Sequence, residues 1–182
     1  MMMSEEDDFL LDRIASNDVD AFGLLLERHY DRIFRIAFRV LGDKQAAEDV
    51  AQDVCISLST KITSFDRNSK FTTWLYRIVK NASIDALRKL RTQNRNNEAW
   101  ASVVLLQSEA AEQHAEDLRW LNEVFSQLKD DLKITVAFVV GEGLSHAATA
   151  NILEVSEGTV SWRMSEVRKI ATLIAKQEGR VS

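Results

Sequence analysis

The stretch "VSEGTVSWRMSEVRK", residues 155–169, decides the fold. Ser156 stands where a hydroxyl can accept from a free N–H of a helix's first turn, and a long helical pattern runs on from Glu157 to about Gln177. Just before it, "SHAATANILE" (145–154) is a second, shorter helical segment, and the two are joined by "EVSE". Helix, tight turn, helix is the spacing of a helix-turn-helix, whose second helix inserts its N-terminal residues into the DNA major groove. The same spacing occurs in bundles that touch no DNA, so spacing by itself leaves both readings open.

Outward from this stretch the whole chain reads as helix. With 182 residues, six glycines and no proline, it has few of the residues that punctuate loops, and the expectation is an all-α protein with short connections. From Asp20 as N-cap, Phe22, Leu25, Leu26, Ile33, Ile36, Ala37, Val40 and Leu41 recur at three and four, and Gly42 closes that helix. A second helix opens at Asp43 and buries Ala47, Val50, Ala51, Val54, Leu58 and Ile62. Its other face carries Asp49, Gln52, Asp53 and Ile56 at i, i+3, i+4 and i+7. After the loop "SFDRNSK", a third helix starts near Thr72 or Thr73 and buries Leu75, Ile78, Val79, Ala82, Ala86 and Leu90. Residues 1–95 thus form one helical domain. Residues 96–117, acidic and polar around "WASVVLL", read as a linker. Residues 118–182 form a second, smaller helical domain that ends in the helix-turn-helix.

The net charge of −5 argues mildly against a nucleic-acid partner, but the charges are segregated. Residues 61–95 carry nine basic side chains against two acidic ones, while residues 1–60 are net −7 and residues 96–131 net −6. One basic block between two acidic ones is the footprint of polyanion contact that the whole-chain value hides. The N-terminus "MMMSEEDDFLLD" lacks the basic n-region and apolar h-region of a signal peptide, and no apolar run approaches a membrane span, so the expected location is the cytoplasm, with no membrane insertion. Cys55 is alone, which excludes an internal disulfide and a cysteine-rich zinc site. His29, His114 and His146 are scattered and no glycine-rich phosphate loop occurs. No enzyme activity, cofactor or metal is expected.

Taken together, "DAFGLLLERHYDRIFRIAFRVLGDKQAAEDVAQDV" followed by "FTTWLYRIVKNASIDALRK" resembles region 2 of the extracytoplasmic function (ECF) group of bacterial RNA polymerase sigma factors. "GLSHAATANILEVSEGTVSWRMSEVRK" resembles their region 4. The resemblance covers about four fifths of the chain, two independent motifs in the family's order. It implies a transcription initiation factor that binds core RNA polymerase, recognises −10 and −35 promoter elements, helps melt the −10 region and answers to an anti-sigma factor. The exposed Asp49, Gln52, Asp53 and Ile56 would dock on the polymerase clamp. Lys70, Arg77, Lys80, Asn81, Arg88 and Lys89 would meet the −10 element, the cations on phosphates and Asn81 near unstacked bases, with Phe65, Phe71, Trp74 and Tyr76 as aromatic surface nearby. Ser156, Thr159, Ser161, Trp162, Arg163 and Arg168 would face the −35 duplex. The chain departs from the family pattern at Ala148 and Thr149, where glutamate and isoleucine are usual, and at Glu154, where the turn usually has glycine. Ser161 and Glu166 stand at often basic positions of the recognition helix, which weakens the sequence-independent phosphate attraction.

Two other functional classes fit parts of the pattern. A sigma mimic that sequesters an anti-sigma factor without binding DNA would explain the weakened recognition helix, but has no need of the basic block at 61–95. A stand-alone repressor or activator would use the helix-turn-helix and leave the first domain without a task.

Overall fold

Asp18 and Gly42 set the limits of the element around which the chain is built. The Asp18 carboxylate accepts from the Ala21 N–H at 3.1 Å and starts α2 (Val19–Leu41), while Gly42, at φ 68°, ends it with its own N–H on the Phe38 carbonyl at 2.8 Å. The cap is therefore Asp18, not the Asp20 expected from the sequence. The preceding residue decides this: Asn17 takes φ 63°, turns the chain out of an earlier helix and leaves Asp18 extended, as an N-cap must be. That earlier helix, α1 (Met2–Ala15), was not anticipated. It buries Leu10 and Leu11 together with Asp7, whose two carboxylate oxygens both lie 3.1 Å from the buried His29 Nε2. The computed structural model describes residues 2–93 and 115–179.

Asp43 caps α3 (Lys44–Lys61) by accepting from the Ala46 N–H at 2.7 Å. A single 3₁₀ turn (Ile62–Ser64) and the loop to Lys70 then lead into α4 (Phe71–Gln93). The helix begins one residue before Thr72, because the Lys70 carbonyl already accepts from both Thr73 and Trp74. Leu25, Ile33 and Ile36 of α2, Val50, Val54 and Leu58 of α3, and Leu75 and Val79 of α4 are withdrawn from water and form one core.

The later residues form α5 (Ala115–Gln127), α6 (Asp130–Val136) with a π-helical turn (Ala137–Gly141) on its end, α7 (His146–Leu153) and α8 (Glu157–Gln177). Ser145 and Ser156 cap α7 and α8, accepting from Ala148 at 3.1 Å and Thr159 at 3.0 Å. The turn between them holds Glu154 in the left-handed region (φ 59°, ψ 43°), which costs a non-glycine residue about 1 kcal/mol. The expected linker, 96–117, falls outside the described residues except for Ala115–Asp117, which are the start of α5.

One cluster runs through both halves. Ile134 of α6, Ala137 and Phe138 of the π-helical turn, and Ile152 and Leu153 of α7 join the core of α2, α3 and α4, and Phe138 is wholly buried with its ring centre 5.4 Å from that of Tyr76. Leu128, Leu132, Val136 and Met164 make a smaller separate core between α6 and α8. No strand occurs among the described residues, and no helix among them is long and apolar enough to cross a membrane.

Candidate nucleic-acid and protein interfaces

The acidic stripe expected on the second helix lies on the outer face of α3. Asp49, Gln52, Asp53 and Ile56 are all exposed, and Ile56 keeps 70% of its surface in water. Val50, Val54 and Leu58, on the opposite face, hold the helix against α2 and α4, so the stripe is presented on a rigid element. The sequence reading missed what stands beside it. Leu26, Glu27, Tyr30 and Asp31 of α2, with Gln52, Cys55 and Ile56, line an open groove of about 660 Å³ between the two helices. Cys55 sits on this wall, and burial pushes its thiol pKa up, away from the reactive thiolate. The only hint in the sequence is that Leu26 and Tyr30 recur four apart on α2.

The candidate −10 residues divide into two sets. Lys70, Asn81, Arg88 and Lys89 are exposed, and Arg88 makes only a surface pair with Asp85 at 3.4 Å. Arg77 and Lys80 are engaged by the other half of the chain. Arg77 donates to the Asn151 side-chain oxygen at 2.7 Å and to the Asn151 carbonyl at 3.1 Å, and Lys80 is buried with its ammonium 3.1 Å from the Glu154 carboxylate. That ammonium holds the Glu154 carboxyl below the usual range, first through the hydrogen bond and then through its charge. The neighbouring aromatics are packed against each other. Trp74 lies half-buried, 5.2 Å from Phe65 and 5.8 Å from Phe71 between ring centres. In the loop before α4, the Asp66 carboxylate accepts from both the backbone and the side chain of Asn68 (3.0 and 2.7 Å), which fixes the turn and lowers the Asp66 pKa.

The candidate −35 residues begin at the N-terminus of α8. Ser156, Ser161, Trp162 and Arg168 are exposed, and the Thr159 hydroxyl is 2.8 Å from that of Ser156. Ser161 also meets His146 Nδ1 of α7 at 2.9 Å, which ties the two helices of the pair together. Arg163 turns inward: it is only 16% exposed, 3.3 Å from Asp131 and 3.4 Å from the Thr135 hydroxyl, both on α6. Glu166 is paired with Lys169 at 2.6 Å.

Comparison with known proteins follows this layout. The description "Sigma-70 region 2" matches residues 25–93, which run from within α2 to the end of α4. The ECF RNA polymerase sigma factor SigM of Mycobacterium tuberculosis is 30% identical over 166 residues, covering 91% of this chain and 83% of that protein. SigW of Bacillus subtilis, also an ECF RNA polymerase sigma factor, is 43% identical over 77 residues, which are 42% of this chain and 41% of that protein. Among solved structures, CnrH in complex with the cytosolic domain of CnrY superposes with a TM-score of 0.69 at 21% identity, over 94% of this chain and 98% of that one. RpoE of Bartonella quintana, in complex with the anti-sigma factor NepR, gives 0.66 at 21% identity, over 87% and 98%. Similarity to SigM over 91% of this chain shows the family: this chain belongs to the ECF group of RNA polymerase sigma factors, and its function is transcription initiation.

Proposed function

We propose that residues 1–95 act as sigma region 2 and residues 118–182 as sigma region 4, joined by a connector at 96–117. On this reading Asp49, Gln52, Asp53 and Ile56 dock on the clamp of core RNA polymerase. Lys70, Arg77, Lys80, Asn81, Arg88 and Lys89 contact the −10 element during melting, and Ser156, Thr159, Ser161, Trp162 and Arg168 contact the −35 duplex, while Arg163, expected there from the sequence, is held inward and braces α8 on α6. The protein acts as a binding factor in the cytoplasm, where it meets polymerase and promoter DNA, and an anti-sigma factor holds it in check. The observation that carries the reading is the pairing, within the stretch that matches region 2, of an exposed acidic and apolar stripe on α3 with a basic α4. The first suits a basic protein partner and the second a polyanion.

The test is the double substitution Arg88→Glu, Lys89→Glu. Both side chains are exposed, so the melting temperature is expected to stay within about 2 °C of the parent. Open-complex formation, followed by permanganate reactivity of unpaired thymines, is expected to vanish, and the salt slope of DNA binding to fall by about two phosphate contacts. Parental opening by this variant refutes the −10 assignment. The inward engagement of Arg163, Arg77 and Lys80 favours one other reading, a mimic that occupies an anti-sigma factor and binds no DNA. The parent protein would then show no salt-dependent DNA binding in the same titration.

A further inference from the structure

Two of the residues that tie the halves together, Arg77 and Lys80, are among those the proposed function needs for DNA. Three carboxylates of the later half, Asp130 at the start of α6 and Glu142 and Glu154 in turns, each meet a basic or phenolic partner on α2 or α4. Glu142, after the π-helical turn, is only 7% exposed. Its carboxylate lies 2.6 Å from Arg39, 3.5 Å from Arg32 and 3.2 Å from the Tyr76 hydroxyl, which donates to it. Glu154 holds Lys80, and Asp130 holds Arg91 of α4 at 2.6 Å. Phe138 fills the centre of this contact. Gly141 lets the loop approach, since a Cβ there would stand 2.7 Å from Arg39 Cδ.

Glu154 carries the argument furthest. It occupies a left-handed turn position where the family pattern has glycine, and a glutamate there gains nothing within its own helix pair. What it gains is 74 residues away, on Lys80. A carboxylate on a buried ammonium, a second carboxylate among arginines and an amide on Arg77 present oxygen acceptors to the cations of α2 and α4, as a phosphodiester backbone would.

We propose that residues 130–154 close on α2 and α4 as an internal acidic competitor of DNA, with Glu142 and Glu154 standing in for phosphates, so that promoter binding requires this contact to open. The proposal rests on the reading of α4 as a DNA-contacting helix. In the closed state Lys80 and Arg77 are withheld, while the acidic stripe of α3, on another face, stays exposed. Polymerase can therefore dock on a closed molecule, and DNA then competes for the cations. The apparent DNA affinity is reduced by the fraction of molecules that are open: if one molecule in ten is open, release of the contact raises affinity about tenfold.

The test has two readouts on the full-length chain. Zero-length carbodiimide coupling, mapped by mass spectrometry, is expected to join Lys80 to Glu154 in the parent, and excess DNA carrying a single-stranded segment is expected to suppress that product. The variant Glu142→Gln, Glu154→Gly is expected to bind the same DNA about tenfold more tightly by fluorescence anisotropy. The variant Asp20→Asn, Glu123→Gln removes the same charge from exposed positions elsewhere and should stay within about twofold of the parent. Absence of the Lys80–Glu154 product in the parent overturns the closed state. A product that persists while DNA is bound overturns the competition. Equal gains in the two variants reduce the effect to net charge and overturn the proposal as well. A product that forms, with no DNA binding by the parent or by Glu142→Gln, Glu154→Gly, removes the masking and refutes the reading of α4 itself.

Discussion

Cutting Phe138 to alanine tests whether the two halves share a core in solution. The ring has no exposed surface, and it packs against Tyr76 at 5.4 Å among residues of α2, α3 and α4. Removing a phenylalanine side chain from such a site costs about 3–5 kcal/mol, from lost burial plus the cavity left behind. In a chain of this size each kcal/mol moves the melting temperature by about 2–4 °C, so a drop of about 10 °C is expected. Phe138→Leu keeps most of the volume and should cost about 1.5 kcal/mol or less, which separates a cavity effect from any wider disturbance. Urea unfolding of the three proteins, followed by circular dichroism, gives the free energies directly. If Phe138→Ala loses only about 0.5 kcal/mol, as an exposed position would, the ring is not buried in solution and the shared core is wrong.

The stripe on α3 gives a contrasting expectation. Asp49→Ala with Asp53→Ala leaves no cavity and should melt like the parent, yet lose about thirtyfold in affinity for core polymerase in a titration if one of the positions is an interface hot spot. Parental affinity would make the stripe a solvated helix face. The Tyr76 hydroxyl gives a pH signature. Burial, aided by the nearby Glu142 and opposed by Arg32, pushes its pKa from 10 up to about 12. Because the folded value is the higher one, the stability it confers is complete below pH 10 and is lost as pH rises toward 12. On a Tyr30→Phe background, which leaves Tyr76 as the one tyrosine, ultraviolet titration should show the phenolate appearing near pH 12, and at lower pH when Glu142→Gln, Glu154→Gly is added; an unchanged titration there would separate Tyr76 from the contact.

What the sequence makes legible is local. Asp43 and Ser156 cap helices because one oxygen meets one N–H three residues on, and Gly42 ends α2 by a backbone conformation that glycine favours. The stripe on α3 is legible for the same reason, since helical period alone places its members on one face. The cap of α2 is misread because Asp18 and Asp20 offer the same chemistry, and only the left-handed Asn17 chooses between them. Helix α1 is hidden by its own acidity: Asp7 counts as a surface charge until His29, 22 residues on, is seen to bury it. Lys80 and Arg163 look like free cations in the sequence because their partners, Glu154 and Asp131, lie 74 and 32 positions away. The first pairing depends on how the two halves pack and the second on how α6 packs against α8, and no periodicity encodes either.

The central claim is that this chain directs core RNA polymerase to promoters. The most direct measurement is run-off transcription by purified core polymerase on a pool of bacterial genomic fragments, with and without the protein, followed by sequencing of the transcript 5′ ends. The account predicts a discrete set of start sites that appear only with the protein and share sequence at the −10 and −35 positions, and that disappear with Arg88→Glu, Lys89→Glu. Transcript ends identical with and without the protein, under conditions where it binds core, would contradict it.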